Sequence, residues 1–159
     1  LIPYRLLSYA DGWILLNLTL AIVISVPAWN YYTHGTHITV AHAMGATIGI
    51  NTLLLFASIF YIIKNERPEM LEKQKTFIGK GIIITNIALL VFWVSLLGSG
   101  LVKISSKLNN EAFATLMQKS KPWFQVFAYS GIVVLIGFLI LIYSAILLLS
   151  GRKPNTMKL

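Results

Sequence analysis

Apolar residues fall along this chain in four long runs, separated by polar and charged stretches. No charged side chain occurs between Asp11 and Lys64, nor between Lys121 and Arg152. A helix needs about 20 apolar residues to cross a bilayer, at ~1.5 Å rise each. Four such spans fit, over roughly 12–28, 38–63, 81–101 and 123–149. The expected fold class is therefore all-α, an integral membrane protein with four transmembrane helices. Residues 1–159 form a single membrane region, with little chain left over for a soluble domain.

The spans differ in character. The fourth is almost wholly aliphatic and aromatic, as a lipid-facing helix would be. The second carries His42, Thr47, Asn51 and Thr52, with Ala41, Gly45 and Gly49 at four-residue spacing. A small-residue stripe lets either a neighbouring helix or a flat cofactor approach the backbone closely, and the pattern leaves both open. Between the second and third spans, Lys64–Thr76 mixes charges of both signs and reads as a solvated connector. Pro68 suits the first turn of a short surface helix there. Between the third and fourth, Val102–Pro122 places Leu108, Ala112, Leu116 and Met117 at helical spacing. An interfacial helix and a surface for a partner both fit.

Composition reinforces the membrane assignment. Hydrophobic residues make up 57% of the chain and charged residues 11%, with a mean hydropathy of +0.75. Soluble domains lie far from these values. The net charge of +8 could point to nucleic acid, but its placement points to topology. The side holding both termini carries Arg5, Lys64, Arg67, Lys73, Lys75, Lys80, Arg152, Lys153 and Lys158. The other side carries Lys103, Lys107, Lys119 and Lys121. That bias makes the termini cytoplasmic, and no nucleic-acid partner is expected. Trp29, Tyr31, Tyr32 and Trp123 gather at the opposite side, as an interfacial belt would. The first span lacks a small-residue cleavage site and runs on through Pro27, unlike a signal peptide. The chain opens on Leu1 rather than Met, as a processed chain or a piece of a longer one would. There is no Cys, which excludes disulfides, thiolate-ligated haem, iron–sulfur clusters and covalently attached haem from this chain.

All three histidines lie in one segment, His34-Gly35-Thr36-His37-Ile38-Thr39-Val40-Ala41-His42, at the mouth of the second span. Imidazoles entering a bilayer are expensive and usually bind something. His42 is ~9 Å inside the span by helical rise. One of its nitrogens needs a partner and the other can meet a metal, unless the bundle satisfies both. Met44 follows about 200° around the helix, so the two side chains point to nearly opposite flanks. One helix could thus serve two different irons. His34 and His37, at the water boundary, could contact haem propionates or a cation, or simply be interfacial polar residues. Three neutral ligands across a helix start are weak evidence for zinc.

The run Asn30-Tyr31-Tyr32-Thr33-His34-Gly35-Thr36, followed by Ala41-His42, resembles the large subunit of bacterial nitric oxide reductases, in the haem–copper oxidase superfamily. The resemblance extends over essentially the whole chain, through the second span, the charged loop and two further helices. It corresponds to the last four of the family's twelve membrane helices, part of a subunit I-like bundle. The resemblance implies haem b in high-spin and low-spin forms. His42 falls on the axial ligand of the high-spin haem, and His34 on a histidine near the propionates at the periplasmic face. The family's low-spin haem ligand two residues later is normally histidine; here it is Met44. That leaves either a His/Met low-spin haem, with a raised reduction potential, or a Met44 that merely packs.

The resemblance further implies a non-haem iron or other metal, held by residues outside this chain. Glu66, Glu69 and Glu72 are on the wrong side of the membrane for that role, and Glu111 is in a loop. The remaining N-terminal helices of the catalytic subunit, the lipid bilayer, and a cytochrome c-type subunit or quinol as electron donor complete the expected partners. The expected location is the inner membrane of a bacterium. The expected reaction is reduction of NO to N2O by the assembled enzyme. Its rivals are O2 reduction or NO dismutation on the same scaffold, and a haem-free structural subunit.

Overall fold

The computed structural model describes residues 1–150. The basic residues Arg152, Lys153 and Lys158, which contribute to the charge bias, lie outside them. Helix α1 spans Ile2–Ser25. It starts ten residues earlier than the apolar run suggests, because Arg5 and Asp11 do not interrupt a helix. It stops where Pro27 forces its predecessor Val26 into extended backbone (φ −66°, ψ 123°). Helix α2, Pro27–Thr33, begins with that proline in its first turn. A tight turn leads into α3, His37–Met44. A π-helical stretch, Gly45–Thr52, then carries the chain into α4, Leu53–Glu66. His37–Glu66 is thus a single 30-residue apolar helical run.

The connector expected over Lys64–Thr76 shrinks to one residue. Arg67 (φ −145°, ψ 58°) precedes Pro68, which starts α5, Pro68–Leu108. The short surface helix expected at Pro68 is instead the beginning of this 41-residue helix. At ~1.5 Å per residue it is about 60 Å long, roughly twice the ~30 Å hydrocarbon layer. It therefore projects beyond the lipid with its charged ends. The long loop expected over Val102–Pro122 is also mostly helix. Only residues 109–112 lie outside α5 and α6, Phe113–Ser150. Leu108 and Ala112 consequently share no helix with Leu116 and Met117. Asn110 (φ 50°) turns the chain. Glu111 accepts hydrogen bonds from Ser106 Oγ at 2.8 Å and Lys119 Nζ at 2.5 Å. These donors, Lys119 first, hold its carboxyl below the ordinary range.

Among the described residues, four helical runs are long and apolar enough to cross a membrane, as the hydrophobic pattern predicts. Of the apolar window in α5, 61% is buried, against 17% in α1, so α5 is the central helix. Its partner α6 is held by small residues. Gly98 lies under the Trp123 ring and Gly137 against Thr85, while Gly81 faces Ile140 and Leu141 at van der Waals distance. Trp123, expected in the interfacial belt, is thus partly a packing residue. Phe92 and Phe127 meet with centroids 4.5 Å apart. Phe56 stacks on Phe138 at 5.7 Å and ties α4 to α6. Without a hydrophobic drive between helices in lipid, close fits of this kind supply the association. Replacing Gly98 with Ala is expected to cost about 1–3 kcal/mol through overpacking against Trp123. Gly12→Ala, with open space around it, should show no such loss. Thermal unfolding of the purified complex checks both.

Candidate functional site

The histidine segment is built around one turn. Gly35 sits at φ +69°, a left-handed conformation that side chains disfavour. Thr36 then caps α3: its hydroxyl accepts from Ile38 N at 3.2 Å and donates to Thr33 O at 2.7 Å. From α5, Lys103 Nζ donates to Gly35 O at 2.8 Å. The turn is thereby fastened to the central helix. His34 is exposed beside an open cavity of about 410 Å³, lined also by Tyr32, Lys103, Lys107 and Glu111. His37 points elsewhere. Its Nδ1 is 3.1 Å from Ser99 Oγ on α5, and its ring meets Phe124 of α6 edge-on at 5.2 Å. It joins three helices instead of lining that cavity with His34.

His42 is half-buried, with Nδ1 3.0 Å from Asn17 Oδ1 on α1. An amide oxygen only accepts, so in the neutral ring the proton is on Nδ1 and Nε2 keeps its lone pair. Asn17 is itself buried, at 6% exposure. A Cβ added to Gly45 would stand 2.7 Å from Asn17 Oδ1 and 3.2 Å from Trp93 Nε1. The indole N–H of Trp93 is buried without a partner among the described residues. Next to it, Trp13 crosses Trp93 edge-on at 6.0 Å and donates from Nε1 to Asn86 Oδ1 at 3.2 Å. Gly49 lies against the Trp13 ring, where a Cβ would come within 2.5 Å.

This geometry decides between the two uses of the small-residue stripe. Ala41, Gly45 and Gly49 are buried, and the two glycines seat side chains of α1 and α5. The stripe is a helix-packing face. The opposite side of the same span carries Ala43, Thr47 and Asn51, all exposed. Met44 is half-buried and packs against the apolar core.

Sequence reasoning missed two features. One is Asn17, a single amide in a run of leucines. The other is the π-helix, which begins one residue after Met44. Such segments are rare and occur frequently at functional sites. Thr52 Oγ1 donates to Thr47 O, five residues back, at 2.9 Å, which matches the wider π turn. Threonines five apart, Thr47 and Thr52, are its trace in the sequence.

The donors fit a haem iron at one position. His42 offers an imidazole inside a span, its Nδ1 occupied and no side-chain hydrogen bond engaging Nε2 among the described residues. A multi-ligand metal centre is a different matter. Among the described residues, no three His, Cys, Asp or Glu side chains come together.

Replacing Gly35 with Ala is expected to cost about 1–2 kcal/mol through left-handed strain. It should also loosen the Lys103 clamp. Thermal unfolding, with hydrogen exchange over residues 34–37, measures both.

The family model for cytochrome c and quinol oxidase polypeptide I matches residues 13–151. The matched range includes the whole histidine segment. No curated protein and no solved structure matches the chain.

Proposed function

Because this chain belongs to the cytochrome c and quinol oxidase polypeptide I family, we propose that it is the C-terminal portion, or a separate C-terminal subunit, of a nitric oxide reductase. At the coarser level it is a haem–copper oxidase-type membrane subunit, and that family carries out oxidoreduction. The finer reading is that His42 Nε2 ligates the iron of a high-spin haem b. One observation supports it: the Nδ1 contact with Asn17 satisfies half of a half-buried imidazole inside a span and leaves Nε2 without a side-chain partner among the described residues. A bound haem would relay electrons from a donor and bind the substrate at iron, chemistry that no side chain here can supply. The overall reaction takes two NO, two electrons and two protons to N2O and water.

In this reading each element of the chain has a defined part. Asn17 and Gly45 orient the imidazole. Lys103 and Thr36 fix the turn that carries His34 toward haem propionates at the periplasmic side. His37 braces α3 against α5 and α6. Met44 ligates a low-spin haem, whose second ligand comes from an earlier helix. The non-haem metal is held by residues outside this chain. The exposed amide of Asn51 needs protein, not lipid, over it, and the remaining helices of the catalytic subunit supply it. Electrons arrive from a cytochrome c-type subunit or from quinol. The basic side of the described residues faces the bacterial cytoplasm.

A second reading, O2 reduction on the same scaffold, is favoured by the family's description as an oxidase. Consumption of NO against O2 by the purified complex separates the two. Two substitutions test the ligands. His42→Ala should abolish the high-spin haem signal and lower the pyridine haemochrome haem content of the complex. Full retention of both would remove the catalytic assignment. Met44→Ala should alter the low-spin haem spectrum, and an unchanged spectrum would reduce Met44 to a packing residue.

A further inference from the structure

Asn17 touches His42, yet its surroundings are built for more than contact. It is on a different helix from His42, 25 residues away in sequence, and its Oδ1 lies 3.0 Å from His42 Nδ1. It is more than nine-tenths buried. The space for its carbonyl exists because residue 45 has no side chain, since even a methyl group there would reach 2.7 Å from Oδ1. Its neighbourhood is pinned by the crossed Trp13 and Trp93 rings and by the Trp13 bond to Asn86. A buried amide oxygen and an imidazole N–H inside a membrane span each need a partner, and here each has the other.

We propose that Asn17 is the positioning residue for His42, setting the tautomer, the ring orientation and the donor strength of Nε2 toward a bound haem iron. This rests on His42 being that ligand. The physical basis is general. The acceptor on the far nitrogen of a ligating histidine fixes which nitrogen binds and how basic it is. A neutral amide pulls moderately on the Nδ1 proton. A carboxylate pulls harder and makes the ring more imidazolate-like. An alkyl group does not pull at all. Asn17 therefore holds the ligand at an intermediate strength, and Gly45 keeps the acceptor in place.

The test is resonance Raman spectroscopy of the ferrous assembled complex, reading the iron–histidine stretching band in wild type, Asn17→Asp, Asn17→Leu and His42→Ala. The band is expected at the highest frequency in Asn17→Asp, lower in wild type and lowest in Asn17→Leu. The high-spin haem reduction potential should move in the opposite sense. The aspartate variant keeps the size of the side chain, so it carries the test even if the leucine variant fails to assemble. A band and a potential that stay at their wild-type values in Asn17→Asp, at full haem content, would overturn the role of Asn17. The parent reading is judged separately: it fails if His42→Ala retains the band, or if wild type has none.

Discussion

Inside a bilayer there is no water to receive a polar group, so each one must find its partner within the protein. The contact between His42 and Asn17 is this requirement met inside the second span. It couples α1 to α3, and it depends on the absence of a side chain at Gly45. The same rule runs through the neighbouring residues. Trp13 finds Asn86, His37 finds Ser99, and the threonine and serine hydroxyls of the spans bond back to carbonyls of their own helices. Among the described residues the rule is unmet at the buried indole N–H of Trp93, and at the amide of Asn51, on an exposed face open to a covering partner.

The second span thus has two faces with different work. One is small, buried and occupied by indole rings from α1 and α5. The other is polar and open. The π-helix lies between the histidine and the middle of the span and links these faces, with its wider turn fixed by the Thr52 to Thr47 bond. α5 and α6 form a separate, glycine-fitted pair, and α3 docks on α5 through His37 and Ser99. The haem-ligand candidate is therefore mounted on the central helix from both ends: by the Lys103 clamp at the turn and by Trp93 deeper in.

Much of this architecture is legible in the sequence, for physical reasons. Long charge-free runs mark membrane crossings because charge in hydrocarbon is costly. Pro68 marks a helix start because a first turn does not need its missing N–H, whereas the break at Pro27 falls inside the expected 12–28 span and went unread. What escaped prediction depends on partners distant in the chain. Charged residues read as loop, yet Lys64–Thr76 is helix apart from Arg67, since charge ends a membrane span without ending a helix. The fate of the small-residue stripe could not be read either, because four-residue spacing looks the same under a porphyrin as under Trp13. Asn17 gave no local signal; its meaning comes only from the crossing of α1 over the second span. Among the histidines, the sequence grouped His34 with His37, whereas helix packing turns His37 inward.

Density for the assembled complex at His42 tests the central claim most directly. An electron cryo-microscopy map of the purified holoenzyme should join His42 Nε2 to a haem iron, with Nδ1 within hydrogen-bonding distance of Asn17. A map in which Nε2 is hydrogen-bonded to another side chain, with every haem iron ligated elsewhere, would contradict it.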